Sequence, residues 1–282
     1  MNDNWQHKAP EMNRQRQQAF TLVELLIALV LVGLILSAVV YVNIGTVRAS
    51  ASLQARNELL SETQLAQNYM AGKLKYAAYV YPSGSTITMT SSGYSTEKPT
   101  AGYTWTVGTD PIVAFVMPPK NGANLGICSA TPSTTPSADR DDCYYFYAFY
   151  AIKRSQLTAN ANGVFNPGKD GLNDPNSWVI MEYRASYAGA GYGATTPPTT
   201  TPPPYPTGKQ GRLLLDYLEP IASPDMLFTA PAAGAQTAGT TNVVISLAVR
   251  RNVGGQILNL PATDRYTLTA YPRNVGKPVL PN

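Results

Sequence analysis

The chain of 282 residues is poor in the residue types that carry most enzyme chemistry. It holds one histidine, His7, which precedes a long apolar run. If the segment before that run is removed, the remaining chain has no histidine. That would exclude histidine-based triads, histidine general bases and histidine-ligated zinc. Two cysteines exclude a Cys₄ metal site.

Charge is scarce as well. Charged residues make up 13% of the chain, about half the usual share of a soluble domain. The net charge of +4 is too small for this length to indicate nucleic-acid binding. The chain is instead rich in Pro, Gly and Tyr, with 18 Tyr against 6 Phe. This composition favours an exported, β-rich domain over a cytosolic α/β enzyme.

One long apolar run stands near the N-terminus. Residues 25–42 carry no charge, and thirteen of these 18 residues are Leu, Ile or Val. Such a run is just long enough to span a bilayer, and these side chains favour insertion by roughly 4 to 8 kcal/mol. Glu24 opposes insertion, but it lies at the end of the run, where a charge costs less. The basic residues before the run predict a cytoplasmic N-terminus and an exported C-terminal part; they are Lys8, Arg14 and Arg16.

Three interpretations of this segment compete. A cleaved secretory signal has a small-x-small site at Ala49–Ala51, but the run is longer than the usual signal core and an acidic residue precedes it. A plain membrane anchor gives no reason for a carboxylate at the membrane edge. The third interpretation rests on Ala19-Phe20-Thr21-Leu22-Val23-Glu24-Leu25-Leu26. This stretch resembles the class III signal of type IV prepilins and type II secretion pseudopilins, and we favour it.

The resemblance implies specific roles. In that family a membrane peptidase cuts before the Phe and methylates the new amino group, so the cut would fall between Ala19 and Phe20 and residues 1–19 would be the removed leader. Most family members have Gly where this chain has Ala19. Glu24 would pair with the α-amino group of Phe20 on a neighbouring subunit and set the axial register. The alternative is that Glu24 only snorkels to the headgroups.

The chain predicts one long helix followed by strands. Residues 20–42 form its hydrophobic part, and residues 43–81 contain no proline and continue it with apolar residues at helical spacing. The exported domain would be 82–282, with a disordered Pro/Thr-rich loop at about 188–210. The fold class is therefore α+β: a long helix packed on a mostly antiparallel sheet domain, the lollipop layout of pilins by resemblance.

Alternating segments predict eight strands in the domain. They are Thr86–Thr90, Tyr103–Val107, Ile112–Met117, Tyr144–Lys153, Trp178–Arg184, Arg212–Leu218, Val243–Arg250 and Tyr266–Tyr271. The run Tyr144–Tyr150 is almost entirely aromatic. It predicts a central strand with both faces covered; the alternative is that one face stacks on sugars, DNA bases or another subunit.

Two small clusters are candidate sites. Cys128 and Cys143 would form a disulfide in an exported domain, the alternative being two free thiols. Asp170, Asn173 and Asp174 surround Gly171 and are weak calcium candidates. A turn held by their side chains is the favoured interpretation. We expect no other metal and no cofactor.

The downstream segments indicate one branch of the family. Leu213–Tyr217, Val243–Leu247 and Tyr271–Asn274 look like the larger PilW/GspJ-type minor pilins. The resemblance implies a structural protein and not an enzyme: a minor pilin that primes or caps a type IV pilus. Alternatives are a type II secretion pseudopilin and an adhesin or DNA-uptake pilin. The expected partners are other pilins, the prepilin peptidase and the inner-membrane assembly platform. The expected location is the inner membrane with a single span, then the pilus or pseudopilus.

Overall fold

The computed structural model describes residues 21–89, 93–119, 143–160, 166–187, 211–221, 226–234, 236–237 and 240–276. The chain divides into two compact units, Met1–Ser50 and Ala51–Asn282. Helix α1, Leu22–Lys75, runs through the boundary between them. In the first unit every described residue is exposed.

In the second unit α1 has one buried stripe. Its members recur every three or four residues, the spacing of one helix face, and they are Ala55, Leu59, Thr63, Ala66, Gln67, Met70 and Leu74. The predicted helix after residue 43 is confirmed, but it ends at Lys75 and not near residue 81. The reason lies in tertiary pairing. Tyr79–Val80 forms strand β1 against a neighbouring strand, and the backbone N–H of Arg273 donates to the carbonyl of Lys75 at 2.9 Å.

Twelve strands and a second helix complete the described chain. The strands are β1 Tyr79–Val80, β2 Thr86–Thr88, β3 Thr104–Thr106, β4 Ile112–Met117, β5 Tyr145–Lys153, β6 Trp178–Ser186, β7 Arg212–Leu218, β8 Phe228–Thr229, β9 Val243–Leu247, β10 Val249–Val253, β11 Gln256–Leu260 and β12 Tyr266–Ala270; helix α2 is Arg154–Asn160. All strand pairs named here are antiparallel. The α+β class with an antiparallel sheet is therefore confirmed.

The strands form three sheets. The largest has seven strands in the order β1-β4-β5-β6-β7-β10-β11, the second has the order β12-β9-β8, and β2 pairs with β3. A long bent hairpin joins the first two sheets, because β9 and β10 are separated only by Ala248 and pair with β12 and β11 respectively. Gly254 and Gly255 close this hairpin with φ of 58° and 90°, values that suit a two-residue type I′ turn.

Two apolar clusters occupy the two faces of the large sheet. One contains the α1 stripe, with Met70 and Leu74 packed among residues such as Phe149 and Leu260. The other contains Trp105 and the opposite face of β5. Strand β5 contributes to both clusters, so it is the centre of the fold.

Candidate functional site

The N-terminal end of α1 is a capping box. The backbone N–H and the hydroxyl of Thr21 each donate to Oε2 of Glu24 at 3.1 Å. The Glu24 N–H donates back to Oγ1 of Thr21 at 3.3 Å. In this arrangement a Thr and a Glu three residues apart satisfy backbone donors that the helix itself leaves free. Glu24 is therefore positioned by its own helix, while its Oε1 makes no hydrogen bond with a described residue.

The helix surface behind Glu24 is apolar and open. The most apolar 18-residue stretch of α1 has no buried residue. Large side chains from Leu22 to Val47 are each about half exposed or more. By length and composition α1 is thus able to cross a membrane. The structure places a carboxylate at the first turn of this apolar rod, as the sequence predicts.

The N-terminal segment also matches a known family model. Residues 14–40 match the model described as the prokaryotic N-terminal methylation motif. This segment is a prepilin-type methylation motif. The matched range includes Ala19, Phe20 and Glu24. No curated protein and no solved structure matches the chain.

The methylation motif supports a pilin-like or pseudopilin-like, structural protein. Ala19 and Phe20 lie outside the described residues, so the cut between them and the methylation of Phe20 stay predictions. The pairing of Glu24 with a neighbouring Phe20 stays a prediction too. The Thr21 contacts add a second role for Glu24, that of a helix cap, and the local signal for it is Thr-x-x-Glu before an apolar run.

The aromatic strand is buried on both faces. Every residue from Tyr144 to Tyr150 is at most 5% exposed. Tyr147 stacks on Phe115 with ring centroids 5.6 Å apart, and Tyr150 meets Trp105 edge-on at 5.1 Å. The predicted central strand is therefore confirmed, and its rings are not available to stack on a ligand.

The structure describes one of the two cysteines of the candidate disulfide. Cys143 is buried next to the start of β5, and it is not a free thiol. Cys128 lies outside the described residues, so its pairing with Cys143 stays a prediction. The loop at 188–210 lies outside them as well.

The acidic turn is held by protein donors. Oδ2 of Asp170 accepts from the side-chain amide of Asn173 at 2.8 Å and from the Tyr217 hydroxyl at 3.1 Å. Asp174 accepts from the Asp170 N–H at 3.1 Å and from the guanidinium of Arg154. These contacts are those of a turn stabilised by its own side chains. Among the described residues no group of three acidic, His or Cys side chains could hold a metal ion.

The cation at the centre of this turn is not evident from the sequence alone. Arg154, the first residue of α2, has a side chain 1% exposed. Its guanidinium donates to both carboxylate oxygens of Asp216, at 2.8 and 3.1 Å. Burial alone would lower the pKa of Arg154, but the hydrogen bond and charge of Asp216 raise it. No local pattern marks Arg154, because its two carboxylates are distant in sequence.

Tyr217 completes this cluster. Two guanidiniums contact its ring, with Arg154 at 4.9 Å and Arg251 at 4.6 Å from the ring centroid. Its backbone has φ of 55° at an irregular stretch of the β6–β7 ladder, a conformation that is uncommon for an aromatic residue. Arg154 therefore connects α2, the acidic turn and β7 through Asp174, Asp216 and Tyr217. Its charge is paired within the protein and has a structural role.

Proposed function

We propose that this protein is a minor pilin of a type IV pilus, of the PilW/GspJ type, that takes part in initiating the filament or in forming its tip. The observation that carries the proposal is the methylation motif at residues 14–40, followed by an open apolar helix with Glu24 held at its first turn. The second unit, Ala51–Asn282, is large for a subunit repeated along a shaft, which favours a tip position.

The proposed mechanism uses each part of the N-terminal segment. The peptidase removes residues 1–19 and methylates Phe20, which leaves a charged amino group four residues before Glu24. In the filament core a lone carboxylate is costly, and an opposite charge offsets that cost. Oε2 of Glu24 is engaged by Thr21, so Oε1 remains for the amino group of a neighbouring subunit.

The proposal implies partners and a location. The subunit would cross the inner membrane once, with its C-terminal domain exported, before it enters the pilus. Its partners would be other pilins, the prepilin peptidase and the inner-membrane assembly platform. Ligand binding through the aromatic strand is not favoured, because that strand is buried.

Processing is tested by intact mass in cells with active peptidase. The wild-type protein should lack residues 1–19 and carry one methyl group, whereas Phe20→Arg should keep the leader. His7→Arg is the matched control, since it adds charge within the leader but away from the cut, and it should be processed normally. A wild-type mass that includes residues 1–19 would overturn the processing step.

Assembly is tested by the content of sheared filaments. Glu24→Leu should be processed but absent from them. Glu24→Gln separates the two roles of the side chain, because an amide oxygen still accepts from the Thr21 N–H but cannot form an ion pair. We expect Glu24→Gln to be lost from filaments as well. If it enters them at the wild-type level, the proposed pairing with the Phe20 amino group is wrong.

Recovery of the protein with a secretion pseudopilus, and not with pili, would favour the pseudopilin alternative.

A further inference from the structure

Two strand edges in the second unit are closed by carboxamide side chains. The Gln236 side chain accepts from the Val80 N–H at 3.3 Å and donates to the Val80 carbonyl at 2.6 Å. Asn173 does the same for Asn252, at 2.6 Å and 3.1 Å. Each amide thus replaces a residue of a neighbouring strand at an edge that would otherwise offer unpaired backbone groups.

Strand β11, at the end of the large sheet, has no such cover from the described residues. Val253 and Gln256 flank the two-residue turn and pair with each other, so hydrogen-bonded and non-hydrogen-bonded pairs alternate from there. Ile257 and Asn259 therefore point their N–H and C=O groups away from β10. The bonds from Asn173 to Asn252 agree with this alternation, because Asn252 is the partner of Ile257.

The side chains of β11 also lack the usual protection of an edge. Exposed edges are normally blocked by charged residues, by proline or by a bulge. Residues 256–260 read Gln-Ile-Leu-Asn-Leu and contain neither charge nor proline, and their pairing with β10 is regular. Ile257 is 50% exposed, and Gln256 and Asn259 are exposed as well.

We propose that the β11 edge pairs with the same edge of a second copy of this chain. The edge is self-complementary in an antiparallel pair centred on Leu258. Ile257 of each copy then exchanges two backbone hydrogen bonds with Asn259 of the other copy. The N–H and C=O groups of Ile257 and Asn259, which point outward on each strand, are then all paired. Because the strand carries no charge, this two-fold pairing brings no like charges together.

The arrangement fixes one distance that an experiment can test. Leu258 lies opposite Leu258 of the second copy. The two form a non-hydrogen-bonded pair, for which the Cα atoms lie about 4.5 Å apart. That separation allows a disulfide. Gln256, on the same face of the strand, would lie roughly 13 Å from Gln256 of the second copy at the usual rise per residue. That distance is too long for a disulfide.

The test uses the full-length protein in detergent, oxidised gently over a range of concentrations. Leu258→Cys should give a disulfide-linked dimer at several times the yield of the matched control Gln256→Cys. The cysteine content of the dimer, mapped by peptide mass, must show a 258–258 link, so that the native Cys128 and Cys143 are excluded as its source. Equal yields from the two variants would overturn the proposal.

Two further variants keep the proposal testable if Leu258→Cys fails to fold. Ile257→Lys places like charges across the paired edge, and Asn259→Pro removes an outward N–H that β10 does not use. Both should leave the circular dichroism unchanged and lower the dimer fraction in analytical ultracentrifugation at least tenfold. A dimer fraction equal to wild type in both variants, or a wild-type protein that stays monomeric at the highest concentration, would contradict the pairing. Neither outcome bears on leader cleavage or on Glu24, so the proposed function is tested separately.

Discussion

At the scale of single residues, Gly211 lies where no side chain fits. A Cβ atom there would approach the Tyr150 hydroxyl oxygen to 2.2 Å. That hydroxyl is buried and donates to the Ser95 carbonyl at 2.6 Å, so it has little room to move. We therefore expect Gly211→Ala to lower the free energy of unfolding by about 1–3 kcal/mol, measured by denaturant unfolding of the detergent-solubilised protein.

Gly72→Ala is the matched control for that substitution. Gly72 lies within α1, and a Cβ there would meet nothing within 4 Å. Alanine is the better helix former, by up to about 1 kcal/mol, so Gly72→Ala should stabilise the protein or leave it unchanged. The explanation by close packing fails if the two variants lose the same stability.

The stability that Asp170 contributes should depend on pH. Burial raises its pKa, but hydrogen bonds from the Asn173 side chain and the Tyr217 hydroxyl more than offset this, and the pKa is lowered from the ordinary 3.8. A lowered pKa means that the folded state favours the carboxylate. Its contribution is therefore complete above the ordinary value and is lost as the pH falls through the lower value of the folded state.

We expect Asp170→Asn to cost roughly 1–2 kcal/mol of unfolding free energy at neutral pH. The difference from wild type should shrink as the pH is lowered below about 4. Urea unfolding at a series of pH values measures it. Asp264→Asn is the control, because Asp264 is exposed and makes no hydrogen bond with a described residue. A stability difference for Asp170→Asn that does not change with pH would contradict the assignment.

The sequence predicts residues at the site to different extents. The position of Glu24 follows from its neighbours alone, because a charge at the edge of an apolar run is a local pattern. Arg154 could not be found in this way. Its carboxylate partner Asp216 is 62 residues away, and only the folded sheet brings them together.

At the scale of elements, local pattern and tertiary pairing compete. Strands β4 and β7 have the predicted bounds because their alternation or continuous apolar character is strong. Strands β1, β8 and β11 were not predicted. The first two have two residues each, too few for any period, and β11 contains exposed polar residues. These strands exist because neighbouring strands supply the hydrogen bonds, which is information outside the segment itself.

The side-chain amide of Asn173 is expected to stabilise one edge of strand β10. It is 3% exposed, and removing it leaves the N–H and C=O of Asn252 without their partners. We expect Asn173→Ala to cost about 2–3 kcal/mol and to speed hydrogen exchange at the Asn252 amide. Gln236→Ala is the matched variant at Val80, where it should act in the same way. Exchange at Asn252 that is no faster in Asn173→Ala than in Gln236→Ala would show that Asn173 does not close the β10 edge.

At the scale of the whole molecule, the division after Ser50 follows from where α1 begins to bury side chains. The described residues before Ala51 are all exposed, and the first buried position of the helix is Ala55. The composition of the sequence predicts an apolar helix and a β-rich domain. The point at which the helix becomes part of the domain core could not be predicted, because the apolar stripe depends on which strands face it.

The division yields a prediction about truncation. A chain that begins at Ala51 retains every buried residue of α1 and loses the open apolar surface of residues 22–47, so we expect it to be folded and soluble without detergent.

A chain that begins at Gln67 is cut within the same helix and lacks the buried Leu59. Loss of one such side chain alone costs about 2–5 kcal/mol, and this chain should melt at a markedly lower temperature or fail to fold. Thermal unfolding followed by near-ultraviolet circular dichroism compares the two. If they melt together, the residues from Ala55 to Ala66 do not belong to the domain core; if the longer chain aggregates, the apolar surface that requires detergent is not confined to the segment before Ala51.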